Sequence, residues 1–456
     1  MSYAAAVDHL FALSGELHSA PGTPRRKFRL EDMRVLMAAL GDPQLRFPSV
    51  LVAGTNGKGS TCATMASILK ASGYRTGLYT SPHLSRVNER IQIDGETISD
   101  ASFAERYFRM HEAATVLVNE GKLGGLPSFF ESMTAIAFLT YAEERIEIAV
   151  LEVGMGGRLD ATNIVEPMIS VITDISLDHT EWLGSTITAI AHEKAGILRR
   201  DGVLVTLPQH PEANQAIGEA AMALHVRGVS ATDYIPSRPA SALRNRYPIE
   251  VLDGRIEVDS PLAGVHQQRN LALAIAAVVE IRNNHGYKIE LPAIEAGIRA
   301  TCWPGRLERF AGYGLRADIL VDVAHNAAGI WALRSALSSL AQGETGDTDR
   351  TLIFGCLADK AVAEMAQILF PLFDRVILMP VNSPRAATLA EMQLAAAATG
   401  AQYQSAPDAG TALSLAIDQA PAHGLIVACG SIYLVGKVRE LIPALDAAAA
   451  PARTIA

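Results

Sequence analysis

The chain has 456 residues, of which 49% are hydrophobic and 19% are charged, a balance that is typical of globular proteins and argues against disorder. Its length suggests two or three domains, because a single core stops growing near about 250–300 residues. The formal net charge of −9 argues against a general binder of nucleic acid or membrane surfaces, so an anionic ligand must be held by local groups.

The cysteines and the N-terminus indicate the compartment. Cys62, Cys302, Cys356 and Cys429 lie far apart without a C-x-x-C spacing, which predicts a reduced cytoplasmic protein with no structural zinc. The first residues carry no basic patch before an apolar run, so no signal peptide is expected. The most apolar stretches, such as 271–279, are too short to span a bilayer.

Strand-like and helix-like segments alternate from residue 48 onward, after a helix-and-loop pattern over 1–46. A helix-like segment, 60–73, follows the first strand-like run and stops at Gly73. This alternation predicts an α/β fold with a mostly parallel, doubly wound sheet, in which ligands collect at the carboxyl ends of the strands. The strand-like runs of this half are SVLVAG (49–54), RTGLYT (75–80), EIAVLEV (147–153) and MISVITDI (168–175).

A second alternating set begins near residue 317 and predicts a smaller α/β domain. Between the two sets, TCWPGRLE at 301–308 contains proline and glycine and is expected to be the hinge. We therefore expect an N-terminal domain at 1–302, a C-terminal domain at 303–446 and a tail at 447–456. The less regular segment 202–262 could extend the first sheet. The strand-like runs of the second set are ADILVDVAHN (317–326), TLIFGCLADK (351–360), RVILMPVNS (375–383) and LIVACGSIY (425–433).

The stretch VLVAGTNGKGST at 50–61 has the strand–loop–helix setting of a phosphate-binding loop but not the usual G-x-x-x-x-G-K-[ST] spacing. Glycines let backbone N–H groups face a phosphate, and the N-terminus of the next helix adds partial positive charge. Lys58 could reach terminal phosphates, and Ser60 or Thr61 could place a hydroxyl on Mg²⁺. The alternative is a tight turn without a ligand.

Two further segments place polar groups at strand ends of the same sheet. Glu152 lies near the end of the run EIAVLEV, where a carboxylate could hold Mg²⁺ beside phosphates or could simply be solvated. His179 follows the next run and could be a metal ligand or a polar cap. Lys194 lies in the helix-like AIAHEKAGI and could pair with an anion or, as a half-buried amine, react with CO₂ to form a carbamate. The residues alone favour the ion pair.

The second half contributes weaker candidates for a nucleotide site. Arg306 suits a phosphate, and Asp322, with His325 and Asn326 after it, suits a ribose hydroxyl. Asn270 in HQQRNLALA could equally be an ordinary polar residue at a helix N-terminus.

Eight short motifs occur in a fixed order between residues 54 and 326. They are GTNGKGS, TSPHL, NERI, LEVGMGGRLDATN, DHTEWLG, EKAGI, PGRLE and DVAHN. Together they closely resemble the folylpolyglutamate synthase / dihydrofolate synthase family, a branch of the ATP-dependent Mur-ligase-like amide ligases. The resemblance covers most of the chain and implies a Mur-ligase-like ATPase domain followed by a Rossmann-like glutamate-ligase domain.

The resemblance also implies cofactors and their ligands. It implies a cytoplasmic monomer that binds ATP and two Mg²⁺ ions, and it favours a carbamylated Lys194 over the ion pair. The implied ATP ligands are Gly57, Lys58, Gly59, Ser60, Asn270, Arg306 and Asp322. The implied metal ligands are Ser60, Ser81, Glu152, His179 and Lys194, with Ser60 favoured over Ser81 for the first Mg²⁺.

The substrate site and the reaction follow from the same resemblance. An acyl phosphate forms on dihydropteroate or a folate, and L-glutamate then displaces phosphate, with Lys58, Lys194 and His325 as catalytic residues. The DVAHN form favours the bifunctional type, and Ala327 replaces a common proline with little expected effect. The expected pterin contacts are Leu17, His18, Ser19, Ser128, Phe129, Phe130, Glu131, Leu159, Asp160 and Ala161. The expected glutamate contacts are His325, Ser383, Arg385 and Ser431.

Alternatives remain for the site and for the activity. Phe129 and Phe130 could wall a flat pterin or could simply pack in the core. A Mur-type ligase of a cell-wall precursor shares the loop, metals and lysine, but it would need a uridine-binding domain before the loop. A non-catalytic nucleotide-binding protein would not need Glu152, His179 and Lys194 together.

Overall fold

A computed structural model describes residues 2–13, 29–237, 244–252, 254–310, 317–343, 349–421 and 423–449. These residues form two compact units. The first comprises Met1–Ser237, Tyr247–Asp259 and Arg269–Thr301, and the second comprises Arg238–Arg246, Ser260–Gln268 and Cys302–Ala456. The functional boundary expected after residue 302 stays a prediction. Over the described ranges, no helix is both long enough and apolar enough to cross a membrane.

The first unit is built on an eight-stranded sheet. Its strands are β1 Ser49–Ala53, β2 Thr76–Tyr79, β3 Ile91–Ile93, β4 Glu96–Thr97, β5 Ile148–Glu152, β6 Ile169–Ile172, β7 Val203–Thr206 and β8 Arg227–Ser230. They lie in the order β4-β3-β2-β5-β1-β6-β7-β8, and all pairings are parallel except those of β3 with β2 and β4. β1 and β5 are buried throughout, as expected for strands covered on both faces.

Helices cover this sheet and supply most of its core. They are α1 Tyr3–Ala12, α2 Leu30–Ala39, α3 Lys58–Ala71, α4 Asp100–Asn119, α5 Phe129–Glu143, α6 Thr180–Leu183, α7 Ile187–Ala195, α8 Pro211–Ala223, α9 His266–Asn284 and α10 Leu291–Arg299. The buried core includes Leu51 of β1, Leu151 of β5, and Met133 and Phe138 of α5. A separate hairpin is formed by β9 Asn245–Val251 and β10 Gly254–Ser260.

The second unit contains a six-stranded sheet. Its strands are β11 Glu308–Phe310, β12 Asp318–Val321, β13 Arg350–Phe354, β14 Arg375–Leu378, β15 Tyr403–Ser405 and β16 Leu425–Cys429. They lie in the order β11-β12-β16-β13-β14-β15, and only β11 is antiparallel to its neighbour. Its helices are α11 Ala327–Gly343, α12 Val362–Leu369, α13 Leu389–Thr399, α14 Ala409–Gln419 and α15 Ile432–Ala449. Leu352, Phe354, Met365 and Val427 lie in its core.

The structure confirms the predicted α/β class with its parallel sheets. The nine predicted strand and helix segments appear within a few residues of their expected positions, and β7 and β8 extend the first sheet as expected. Four short strands at or next to the sheet edges, β3, β4, β11 and β15, were not predicted because two or three residues carry too little periodicity. Asn270 lies in the second turn of α9 and not at its N-terminus.

Candidate active site

The phosphate loop joins β1 to α3 with very little free space. Gly57 has a φ of 88°, in the left-handed region, and lies directly before Lys58, where α3 begins. A Cβ atom on Gly57 would lie 2.1 Å from Oδ1 of Asn270, and one on Gly54 would lie 1.7 Å from Oγ1 of Thr173. Both positions therefore require glycine because neighbouring side chains occupy the place of a Cβ atom.

The loop is held against the chain that follows β6. The N–H groups of Thr55 and Asn56 donate to the carbonyl oxygen of Asp174, at 2.8 and 3.2 Å. Oγ1 of Thr173 donates to the carbonyl oxygen of Asn56 at 2.8 Å. These hydrogen bonds hold the backbone of the loop in place. The loop presents the N-terminus of α3 and the buried Ser60 at the carboxyl end of β1.

Two lysines converge on one carbonyl group in this loop. Nζ of Lys58 donates to the carbonyl oxygens of Gly54 and Thr55, at 3.0 and 3.2 Å. Nζ of Lys194, from α7, donates to the same Gly54 oxygen at 2.6 Å. The structure thus brings together two predicted catalytic residues that are 136 positions apart in the chain (194 − 58).

Lys194 has the environment of a reactive amine. Its side chain is almost completely buried. Burial, and then the charge of Lys58, lowers the pKa of Lys194 to about 7, although Asp178 and Asp160 act in the opposite direction. A substantial fraction of this amine is therefore unprotonated near neutral pH, and only the unprotonated amine reacts with CO₂.

Glu152 lies beside this loop at the end of β5. It is buried, it pairs in register with Val52 of β1, and its Oε2 accepts the N–H of Ser81 at 3.1 Å. Burial and then Glu152 raise the pKa of the Cys62 thiol in α3, whereas Lys58 lowers it. The charges of Glu152 and Lys58 thus act on the same turn of α3. Glu152 and Ser81 therefore lie together beside the strand that leads into the phosphate loop, and their role as metal ligands stays a prediction.

The donor chemistry fits a single Mg²⁺. Over the described residues, no three side chains among His, Cys, Asp and Glu lie together so that they could hold a metal. Mg²⁺ commonly uses one or two protein oxygens together with substrate phosphates, and Glu152 and Ser60 supply such oxygens. A second ion does not fit an ammonium at Lys194, because like charges repel, but it fits a carbamate. His179, at the start of α6 with a φ of 50°, stays a prediction as a ligand.

His83, two residues after Ser81, has its protonation state fixed by burial. Burial, and then the charge of Arg90, lowers the pKa of His83 to about 3, so its ring is neutral. Nδ1 of this neutral ring accepts Nε–H of Arg90 at 2.9 Å, which connects the TSPHL and NERI motifs. The guanidinium of Arg90 lies 5.0 Å from the ring centroid of Phe129.

The predicted pterin contacts hold their own chain segments in place. Oγ of Ser128 and the carboxylate of Glu131 form a capping box at the start of α5. Asp160 is buried, and its carboxylate accepts the N–H groups of Gly154, Met155 and Thr162 and the hydroxyl of Thr162. Burial raises the pKa of Asp160, while these donors lower it.

The remaining members of the pterin set differ in exposure. Leu159 is exposed, and Ala161 is buried. The ring of Phe129 is buried, whereas Phe130 is partly buried and lies 6.1 Å from Tyr79 between ring centroids. Leu17, His18 and Ser19 lie outside the described residues. Contact of any of these residues with a pterin stays a prediction.

The second unit brings its candidates to the carboxyl ends of β12, β14 and β16. Asp322 is buried, and its two oxygens accept the N–H groups of Leu307 and Ala324, each at 2.8 Å. Nδ1 of His325 lies 2.9 Å from the carbonyl oxygen of Val323. In this structure, the Asp322 carboxylate therefore holds the backbone next to Arg306 in place.

The expected glutamate contacts lie on neighbouring loops of this unit. Arg385 pairs with Asp359, at 2.9 Å between Nη2 and Oδ1, and its N–H donates to Oγ of Ser383 at 3.2 Å. Ser431 is buried after β16, and its Oγ accepts the N–H of Tyr433 at 3.2 Å. Their contact with an amino acid stays a prediction.

Sequence analysis did not identify the ion pair that supports the phosphate loop. Arg269 makes a bidentate ion pair with Asp174, with Nε–Oδ2 at 2.9 Å and Nη2–Oδ1 at 2.5 Å, and Asp174 in turn accepts the N–H groups of the loop. The available signals were the acidic residue two positions after β6 and the arginine next to Asn270. Neither could be paired without the tertiary structure.

Family models and relatives match this chain. The model of the Mur ligase middle domain matches residues 52–278, and that of the Mur ligase glutamate ligase domain matches residues 305–432. The chain is 37% identical to folylpolyglutamate synthase of Lacticaseibacillus casei over 412 residues, 89% of this chain and 92% of that protein. It is 33% identical to dihydrofolate synthase/folylpolyglutamate synthase of Escherichia coli, over 86% of each chain.

Solved structures also match this protein over almost its whole length. Folylpolyglutamate synthase of Mycobacterium tuberculosis complexed with ADP and AMPPCP superposes with a TM-score of 0.84 at 32% identity, over 96% of this chain and 99% of that chain. E. coli FolC in complex with DHPP and ADP superposes with a TM-score of 0.79 at 27% identity, over 98% of each chain.

The two-unit fold and the phosphate loop with its buried carboxylate and lysine define an ATP-dependent ligase of the Mur type. The sequence similarity narrows this class further. The chain belongs to the folylpolyglutamate synthase / dihydrofolate synthase family.

Proposed function

We propose that this ligase is bifunctional and joins L-glutamate to dihydropteroate and to reduced folates, with ATP converted to ADP and phosphate. One observation carries the proposal. The buried Lys194 and the loop residue Lys58 share the Gly54 carbonyl next to the buried Glu152, in a family whose relatives carry both activities in their names. That it acts as a monomer stays a prediction.

The first step activates the carboxylate of the pteroate or folate. One carboxylate oxygen attacks the γ-phosphorus of ATP, the bond to the bridging oxygen breaks, and an acyl phosphate and ADP result. Two anions must approach each other, and Lys58, in the loop, is the cation placed to lower this repulsion. Mg²⁺, held by Glu152 and Ser60, would add charge neutralisation at the phosphates.

The second step forms the amide. The neutral amine of L-glutamate attacks the acyl carbon, phosphate leaves, and the amine loses a proton. His325, half-buried at the carboxyl end of β12, is our candidate for positioning or deprotonating this amine. Ser383, Arg385 and Ser431 are the candidates for holding the carboxylates of the amino acid, because arginine and hydroxyl groups are suited to that task.

Phosphate release from ATP tests the proposal directly. With purified protein and Mg²⁺, we expect release only when L-glutamate is present together with dihydropteroate or a reduced folate. The two acceptors, assayed side by side, decide whether both activities exist. Release that a UDP-muramoyl substrate drives equally well would contradict the folate assignment and favour a cell-wall ligase.

Lys194 provides a second test. Addition of CO₂ to its amine gives a carbamate and one proton, and the carbamate would supply the oxygen ligand that the second Mg²⁺ needs. Lys194→Ala should nearly abolish turnover but leave AMPPCP binding intact, and intact-protein mass in bicarbonate should show the added CO₂ only in the wild type. Lys194→Arg retains the positive charge but cannot form the carbamate, so it should be as inactive as the alanine variant.

The controls separate this role from a general lysine effect. Lys70→Ala removes an exposed lysine from the far end of the same phosphate-loop helix and should retain activity. Substantial turnover in Lys194→Arg would show that the charge, and not the carbamate, is what the site requires.

A further inference from the structure

The turn that carries Arg306 is supported by two carboxylates. The N–H of Gly305 donates to Oε2 of Glu308 at 2.7 Å, and the N–H of Leu307 donates to Oδ2 of Asp322 at 2.8 Å. Arg306 lies between these two anchored N–H groups, and Leu307 has a φ of 46°, a strained value for a leucine. The direction of the Arg306 side chain therefore depends on these two carboxylates.

One of these carboxylates, that of Glu308, is itself held by a distant side chain. Arg439 of α15 makes a bidentate pair with Glu308, with Nε–Oε2 at 2.7 Å and Nη2–Oε1 at 3.1 Å. Oε2 of Glu308 thus accepts from Arg439 and from the Gly305 N–H together. Both side chains are about three-quarters buried, with 27% and 26% of their surfaces exposed, so solvent screens this pair less than a surface pair.

Two contacts tie the Arg306 side chain to its own turn. Its guanidinium lies 6.0 Å from the ring centroid of Trp303, and its Nη1 donates to the carbonyl oxygen of Gly305 at 3.2 Å. Both contacts are made to the same turn. If the turn moves, the guanidinium moves with it.

We propose that Arg439 is a positioning residue for ATP binding, which acts through Glu308 and the Gly305 N–H to hold Arg306 in its binding orientation. This inference rests on the proposed role of Arg306 as a nucleotide ligand. Arg439 lies 133 positions after Arg306 (439 − 306), outside every motif of the family resemblance, and sequence analysis assigned it no role.

AMPPCP binding to the full-length protein tests the inference without folate or glutamate, so it is independent of the activity assay. We expect Arg439→Met to weaken AMPPCP binding about tenfold, because loss of a remote support misplaces a binding group. Arg439→Lys, which retains charge but not the bidentate geometry, should give an intermediate loss. The KM for ATP should rise in parallel, with a smaller change in the KM for L-glutamate.

A double substitution distinguishes positioning from general stability. Because Arg439 acts only through Arg306, Arg306→Met/Arg439→Met should bind AMPPCP no more weakly than Arg306→Met alone. The exchanged pair Glu308→Arg/Arg439→Glu restores opposite charges but removes the acceptor of the Gly305 N–H. Its thermal stability should therefore recover while its AMPPCP affinity stays low.

The chain offers a matched control three residues from Arg306. Arg309 also donates two hydrogen bonds to one carboxylate at similar exposure, but both go to the same oxygen: Nε (2.9 Å) and Nη2 donate to Oδ2 of Asp318. Asp318 does not hold the Gly305 N–H, which Glu308 accepts. Arg309→Met should bind AMPPCP as the wild type does. Wild-type affinity in Arg439→Met or in Arg306→Met, or additive losses in the double variant, would overturn the inference.

Discussion

Gly57 shows how single atoms decide the shape of the phosphate loop. Its left-handed φ of 88° and the Oδ1 of Asn270, 2.1 Å from the place of a Cβ atom, exclude a side chain at this position for two separate reasons. The first reason is local to the backbone, whereas the second depends on α9, which lies more than 200 residues later in the chain.

We predict that Gly57→Ala costs roughly 1–3 kcal/mol in the free energy of unfolding of the first unit, from the strained backbone and the clash with Asn270. It should also weaken AMPPCP binding, because the loop must move to accommodate the methyl group. Urea unfolding and equilibrium binding measure the two effects.

Gly73 is a matched control for this prediction. It has a φ of 89° at the end of the same α3 segment, but no atom lies within 4 Å of its hypothetical Cβ. Gly73→Ala therefore carries the backbone cost alone and should leave AMPPCP binding unchanged. Equal losses of binding in the two variants would contradict the steric role of Asn270.

The sequence predicted the function of a residue where that residue lies within a recognisable motif. Lys58, Glu152 and Lys194 were each predicted as site residues; the structure places both lysines on the Gly54 carbonyl and Glu152 on the strand next to β1, while their roles stay predictions. That both lysines donate to the same Gly54 carbonyl was not predictable, because no spacing in the chain relates α3 to α7. The same holds for Arg439 and Glu308.

At the scale of elements, the start of α5 both caps the helix and orients an aromatic side chain. Ser128 and Glu131 were predicted as pterin contacts, and the structure shows that they form the capping box of this helix, with Ser128 N–H to Glu131 Oε2 at 2.7 Å. The helix presents Phe129 to Phe11 of α1, with ring centroids 5.3 Å apart. A cap that fixes the helix start also fixes the aromatic side chain that follows it.

We predict that Ser128→Ala lowers the free energy of unfolding by about 1 kcal/mol, the usual cost of a lost N-cap. If Ser128 also contacts the substrate, the KM for dihydropteroate should rise, and we expect that rise. Chemical denaturation and initial-rate kinetics measure the two effects separately.

Thr388 supplies the control for the cap. It forms the same capping box with Glu391 at the start of α13, in the second unit and outside every predicted site. Thr388→Ala should lose comparable stability and keep its KM for dihydropteroate. An unchanged KM in both variants would leave Ser128 with only its capping role.

Long, buried strands were predicted from the sequence more readily than short, exposed ones. β1, β5 and β13 are five-residue strands in which at least four residues are buried, and all three were predicted. β4 has two exposed residues and was not, because nothing in its composition separates it from a turn. Its place is decided by pairing with β3.

For the whole molecule, the chain passes between the two compact units several times, whereas the sequence predicts a single hinge. Residues 244–246 and 260–268 group with the second unit, although both segments precede the expected hinge. Within them, the buried Asn245 donates to the carbonyl oxygens of Leu262 and Gly264, at 2.7 and 2.9 Å, and accepts from Gln268 at 2.9 Å.

We predict that Asn245→Ala destabilises the second unit by roughly 1–3 kcal/mol, because it leaves buried polar groups without partners. In calorimetry it should lower the unfolding transition of that unit, whereas Gly57→Ala should lower the transition of the first. Asn283→Ala, an exposed change in the last turn of α9, should move neither by more than about 0.5 kcal/mol. A uniform shift of a single transition by both buried variants would show that the two units unfold together.

By itself, the sequence determined the α/β class, the parallel sheets, the family and the residues at strand ends that carry charge. These properties are local, since periodicity, glycine placement and short motifs act over a few neighbouring residues. Only the tertiary structure decided which charges share an environment: Lys194 with Lys58 at Gly54, Arg269 with Asp174, and Arg439 with Glu308. The pKa of Lys194 near 7 is a product of this burial and charge, and neither is encoded by the residues next to it in the chain.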